Sequence, residues 1–109
     1  MSTIRTKTKE DDANRKAIGS FLRQRRIELN LSQKYMSDMM QLNYYTFISQ
    51  LEKGSTRVPS KMIDDIARVL KLKRKEFAKL LLAYYDPQFY QAIFESGPPE
   101  LVYEELIKK

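Results

Sequence analysis

The sequence predicts an all-α fold. Three observations lead there. Apolar residues recur at steps of three, four and seven along most of the chain, as in Ile18, Phe21, Leu22 and Leu29. No stretch alternates with period two for long enough to suggest a strand. Residues that start or stop helices punctuate the chain at short intervals: Ser32, Asn43 and Pro59 as starts, Asn30 and Gly54 as stops.

The elements follow in order. Residues 1–13 are polar and aperiodic, which suggests a mobile basic arm carrying Arg5, Lys7 and Lys9. The first helix is expected from about Asn14, with Arg23, Arg25 and Arg26 among its apolar positions. Asn30 tolerates the left-handed conformation that ends a helix, and Ser32 caps the next one at Gln33. Tyr35, Met36, Met39 and Met40 are the apolar positions of helix 2. After a break at 41–43, Asn43 can cap a third helix that buries Phe47 or its neighbour, Ile48 and Leu51. Gly54 stops it. Pro59 and Ser60 open a fourth helix with Ile63, Ile66, Ala67, Val69 and Leu70. A fifth carries Phe77, Leu80, Leu81 and Tyr84 after a link at 71–73. Pro87 starts a further helix, Gly97, Pro98 and Pro99 break the chain, and a short helix from about Glu100 to Lys108 closes it.

Composition narrows the function. The 109 residues suit one small domain with an appendage, and at that size a partner subunit would help stability. With no cysteine and no histidine, disulfides, zinc-finger ligation and His or Cys catalysis are excluded. The longest apolar run, Leu80 to Tyr85, is far below the ~20 residues that span a bilayer, so no membrane segment is expected, and the polar first residues do not read as a signal peptide. Net charge is +6. Residues 1–61 hold 12 Lys/Arg against 6 Asp/Glu, whereas residues 86–109 hold 2 against 5. The excess is on the first half, which fits a polyanion partner such as DNA; solubility alone is the bland reading.

Helices 2 and 3, short and joined by a tight turn, form a helix-turn-helix pattern between Leu31 and Gly54. Such a unit needs an apolar inner face and a hydrogen-bonding, non-acidic outer face that can enter the major groove. Ile48 and Leu51 supply the first; Tyr44, Tyr45, Thr46, Ser49, Gln50 and Lys53 are available for the second, and no acid precedes Glu52.

Several runs in order carry a family resemblance. Ile18-Gly19-Ser20-Phe21-Leu22-Arg23, Leu31-Ser32-Gln33, Phe47-Ile48-Ser49-Gln50-Leu51-Glu52-Lys53-Gly54, Pro59-Ser60 and Ile66-Ala67-Arg68-Val69-Leu70 resemble the Cro/repressor (XRE-type) helix-turn-helix family over about Ile18 to Phe77. The resemblance implies a lambda-repressor-like five-helix DNA-binding domain, here residues 14–85, with a C-terminal helical extension over 86–109. It implies a recognition helix at about 44–52. Tyr45, Thr46, Ser49 and Gln50 fall at or between base-contact positions, and Gln33, Tyr44, Lys53, Arg57, Ser60 and Lys61 at positions near phosphates. Gln33 is also implied to brace the recognition helix, and Arg26 and Glu52 to tie helix 1 to the end of helix 3. Two departures stand out. Gln41 occupies a turn position that is often Gly in the family, and the turn is one residue longer than the shortest version, with Asn43 as an alternative left-handed residue.

Each role has a bland counterpart. Gln50 can bond adenine in bidentate fashion, worth ~1–3 kcal/mol of discrimination, or be a solvated helix position. Thr46 can meet a base or cap the helix. At least one of Tyr44 and Tyr45 is expected on the DNA, and the other is open to the core. Lys53, Arg57 and Lys61 would otherwise be ordinary surface cations. The Arg26–Glu52 pair, if exposed, is worth only ~0–1 kcal/mol. In the extension, Tyr84, Tyr85, Phe89, Tyr90, Ile93 and Phe94 are candidates for a homodimer interface, against the alternative that they fold onto the same core. Glu100, Glu104 and Glu105 are expected to face solvent or a partner.

The expectation is therefore a cytoplasmic, bacterial or phage-encoded regulator of transcription that binds double-stranded DNA. A homodimeric repressor on a palindromic operator is favoured. An antitoxin that autoregulates its operon and binds a toxin through its C-terminal part is the rival. Asp64 and Asp65 point apart on a helix and have no accompanying ligand set, so no catalytic residue, metal site or cofactor is expected.

Overall fold

A computed structural model describes residues 9–95 and 103–108. Among them are seven α-helices and no strand: α1 Lys9–Glu28, α2 Gln33–Met39, α3 Thr46–Lys53, α4 Ile63–Val69, α5 Arg74–Tyr85, α6 Pro87–Phe94 and α7 Tyr103–Leu106. A 3-10 turn, Ser60–Met62, leads into α4. α1 packs on α3 and α5, α2 on α3, α4 on α5, and α5 on α6. The shared core joins Ile18, Phe21 and Leu22 of α1 to Met36, Ile48, Leu51, Ile66 and Phe77.

Four successive elements end in the same device. Asn30, Gln41, Gly54 and Lys71 all take positive φ. After each of them the next N–H reaches back five residues: Leu31 to the Arg26 carbonyl, Leu42 to Ser37, Ser55 to Gln50 and Leu72 to Ala67. These are Schellman ends, and only one of the four uses glycine. At the other three the left-handed residue is followed by a leucine packed on or within the core, Leu31, Leu42 and Leu72. That apolar anchor offsets the ~1–2 kcal/mol cost of a side chain in the left-handed region. Asn30 and Gly54 behave as their residue types predict. In the turn of the helix-turn-helix it is Gln41, not Asn43, that takes the left-handed conformation.

Other boundaries differ from expectation. α1 begins at Lys9, so residues 9–13 are helix rather than arm, while residues 1–8, with Arg5 and Lys7, lie outside the described residues. The reason is electrostatic: Glu10, Asp11 and Asp12 occupy the first turn, where carboxylates meet the positive end of the helix dipole, and Asp12 pairs with Arg15 one turn on. Ser32 does cap α2, its hydroxyl accepting the Tyr35 N–H at 2.9 Å. Asn43 does not cap α3; Tyr45 holds that position without a side-chain bond. On α2, Met36 and Met40 are buried, but Tyr35 and Met39 are exposed. The break at Gly97–Pro99 and residue Glu100 lie outside the described residues, and the closing helix is only Tyr103–Leu106.

The C-terminal segment returns to the core. Leu106 is buried, its carbonyl accepts the Lys73 N–H at 2.8 Å, and the Lys108 N–H donates to the Lys71 carbonyl at 2.9 Å. Tyr103 stands edge-on to Phe21, ring centroids 5.5 Å apart, and its hydroxyl bonds Glu28.

Candidate nucleic-acid interface

The outer face of α3 follows from helix geometry. At about 100° per residue, Thr46, Gln50 and Lys53 fall within about 60° of one another, and Ser49 borders them. Ile48, Leu51 and Glu52 fall opposite and are buried. Thr46, Gln50 and Lys53 are exposed and Ser49 is half-buried. Tyr44 and Tyr45 stand before the first turn, 75% and 52% exposed, so neither belongs to the core.

A buried polar cluster fixes this helix. Arg26 Nε and Nη2 donate to the two oxygens of Glu52 at 2.6 and 3.0 Å. Gln33 Nε2 donates to Oε1 of the same carboxylate at 3.1 Å. Arg26 also donates to the Leu31 carbonyl at 2.7 Å, in the link between α1 and α2. One carboxylate thus gathers α1, α2 and α3. Both side chains of the ion pair are almost wholly buried, so the low value of an exposed pair does not apply here.

Two further arginines of α1 serve helix ends. Arg15 Nε donates to the Gly54 carbonyl at 3.1 Å, closing the end of α3. Arg25 Nε donates to the Leu70 carbonyl at 2.8 Å, closing α4. The positive excess of the first half is therefore not all surface charge, since Arg15, Arg25 and Arg26 are buried. Gly19 completes the seat of α3: a Cβ there would stand 2.5 Å from the carbonyl oxygens of Leu51 and Glu52. Sequence reasoning had not assigned these roles to Arg15, Arg25 and Gly19. A glycine inside an amphipathic helix was the available signal of close backbone approach.

A known family model, described as Helix-turn-helix, matches residues 22–77, a little over half of the chain. The chain belongs to the XRE-type (Cro/C1) helix-turn-helix family. This family member is accordingly an all-α, lambda-repressor-like protein and a DNA-binding transcriptional regulator. No curated protein matches it. Among its described residues no helix is long and apolar enough to cross a membrane.

The remaining expected site residues divide. Ser60 and Lys61 are exposed in the 3-10 turn before α4. Arg57, also exposed, has a partner in its own chain: it donates to the Tyr85 carbonyl at 3.0 Å and lies over the Tyr85 ring, 5.0 Å from its centroid. The Tyr85 hydroxyl accepts the Val58 N–H at 3.0 Å. Burial pushes that phenol above its ordinary pKa, and the Val58 bond and the Arg57 charge offset part of the rise.

Among the six dimer candidates, three are used within the chain. Tyr85 holds the loop before the 3-10 turn, Tyr84 packs on the core and accepts Asn14 Nδ2 at its carbonyl, and Tyr90 is buried against Phe94. Phe89, Ile93 and Phe94 remain exposed on α6.

Proposed function

We propose that this regulator reads operator DNA through Thr46, Ser49 and Gln50 of α3, with Tyr45 at its start. Gln33, Tyr44, Lys53, Ser60 and Lys61 hold the flanking phosphates. The observation that carries the reading is the exposed, acid-free stripe on α3 set above the buried Arg26–Glu52–Gln33 cluster. A rigid seat matters because base contacts give discrimination only when their position is fixed. Gln33 serves two ends: one amide hydrogen is bound to Glu52, which leaves the second to donate to a phosphate oxygen. Arg57, exposed and held against Tyr85, joins these phosphate contacts.

The protein acts as a homodimeric repressor on a palindromic operator, paired through Phe89, Ile93 and Phe94 of α6. Three adjacent exposed apolar side chains favour an interface there. The rival reading, an antitoxin whose C-terminal part seizes a toxin, has less support. Tyr103 and Leu106 are committed to this chain's own core and would have to be released first.

The test is the salt dependence of duplex binding. Lys53→Ala is expected to lower the slope of log affinity against log salt by about 1. An unchanged slope would remove Lys53 from the interface.

A further inference from the structure

The outer side of α2 borders an apolar groove that the DNA-binding reading does not use. Tyr35 and Met39 stand four residues apart and form one ridge, 51% and 41% exposed. With Leu29 and Leu31 they line a groove of about 320 Å³, closed by Val69 of α4. Two residues along a helix turn it by about 200°, so Tyr35 lies across α2 from Gln33 and its bond to Glu52. A molecule in the groove leaves the α3 stripe open.

The rim is cationic. Arg68 and Lys71 line it, and no described acidic residue does. The Arg68 side chain is held in place, with Asp65 offsetting part of its charge, and the Lys71 backbone is held. Arg68 donates to the Met39 carbonyl at 3.4 Å and to Asp65 at 3.3 Å. The Lys71 carbonyl accepts from the Lys108 N–H and from Arg25, which fixes the backbone that carries the ammonium. The basic character continues into a neighbouring hollow of about 390 Å³ lined by Arg68, Lys71, Arg74 and Lys108. Its one acidic residue, Asp64, is paired with Arg74.

We propose that this groove docks an amphipathic helix of a partner protein, apolar on one face and carboxylate-rich beside it. Charge complementarity selects that occupant. An apolar floor under a cationic rim favours a ligand that offers both apolar surface and negative charge. A DNA backbone supplies the charge but has no apolar face for Leu29, Leu31, Tyr35 and Met39. A basic helix would be repelled by Arg68 and Lys71. With the groove off the DNA-reading face, partner and operator are held at the same time.

The probe is a synthetic helical peptide with Leu and Phe on one face and Glu on the other, compared with a twin carrying Lys in place of Glu. It is titrated into the full chain and followed by amide chemical shifts. The acidic peptide is expected to shift Leu29, Leu31, Tyr35, Met39, Arg68 and Lys71. Arg68→Glu with Lys71→Glu is expected to weaken it by at least about tenfold, with duplex affinity within about twofold of the parent. Tyr35→Ser with Met39→Ser, at exposed positions that the fold does not need, is expected to abolish binding. Four results would overturn the proposal. The acidic peptide fails to bind, the lysine twin binds equally, or the shifts fall on α6 instead. Alternatively, the charge reversals cut duplex affinity instead, which would make the rim a DNA contact.

Discussion

Arg26 and Glu52 meet through two hydrogen bonds, 2.6 and 3.0 Å long, with both side chains withdrawn from solvent. They lie 26 residues apart, on α1 and on the last turn of α3. The orientation of α3 therefore depends on a buried ion pair in which neither charge can be solvated once its partner is lost. Glu52→Ala is expected to cost about 3–5 kcal/mol, because it leaves the guanidinium buried without its counter-charge. Arg26→Met with Glu52→Met is expected to recover more than half of that. Urea denaturation of the three proteins measures both, and a double variant at least as destabilised as Glu52→Ala would contradict the account.

Left-handed residues give a prediction of opposite sign. Gln41 sits at φ 58 in the turn before α3. Gly there removes the Cβ strain at a smaller cost in chain entropy, so Gln41→Gly is expected to stabilise by about 0.5–1 kcal/mol. A thermal melt checks it; destabilisation would show that the Gln41 side chain supplies something the backbone argument omits.

These two sites show how much was legible beforehand. Asn30, Ser32 and Gly54 have residue types with strong local preferences, and the helices begin and end where they say. The Arg26–Glu52 link and the family frame from Leu31 to Gly54 were legible through resemblance. Gln41 was not, because a Schellman end can be carried by the leucine after it as well as by glycine. The start of α1 was missed because its first turn is specified by acids and not by apolar periodicity. The arginines of α1 looked like a surface for a polyanion. Arg15 and Arg25 instead close the carbonyls of Gly54 and Leu70, which only the tertiary arrangement reveals.

The α6 face predicts an oligomeric state. Phe89→Ser with Ile93→Ser changes two exposed side chains. It is expected to convert dimer to monomer in light scattering while shifting Tm by no more than a few degrees. An unchanged mass would place the interface elsewhere.

The C-terminal segment predicts stability effects of its own. Leu106→Ala is expected to cost about 2–3 kcal/mol, since Leu106 is buried in the shared core. Desolvation first, and then the bond to Glu28 and its charge, push the Tyr103 phenol up to about 12. A raised phenol pKa means that the folded state holds the proton more tightly. Its contribution is therefore full below pH 10, the ordinary value, and is lost as pH rises through about 12. Tyr103→Phe is expected to remove that alkaline loss; denaturation midpoints between pH 9 and pH 12 that fall equally in both proteins would contradict it.

The central claim is that the outer face of α3 reads bases, and selection of bound sequences from random duplex DNA tests it most directly. The parent chain is expected to enrich a palindrome with half-sites about one helical turn apart. Gln50→Ala is expected to lose preference at one position in each half-site while keeping its affinity for random DNA. An absence of enrichment, or a Gln50→Ala motif identical to the parent's, would contradict the account.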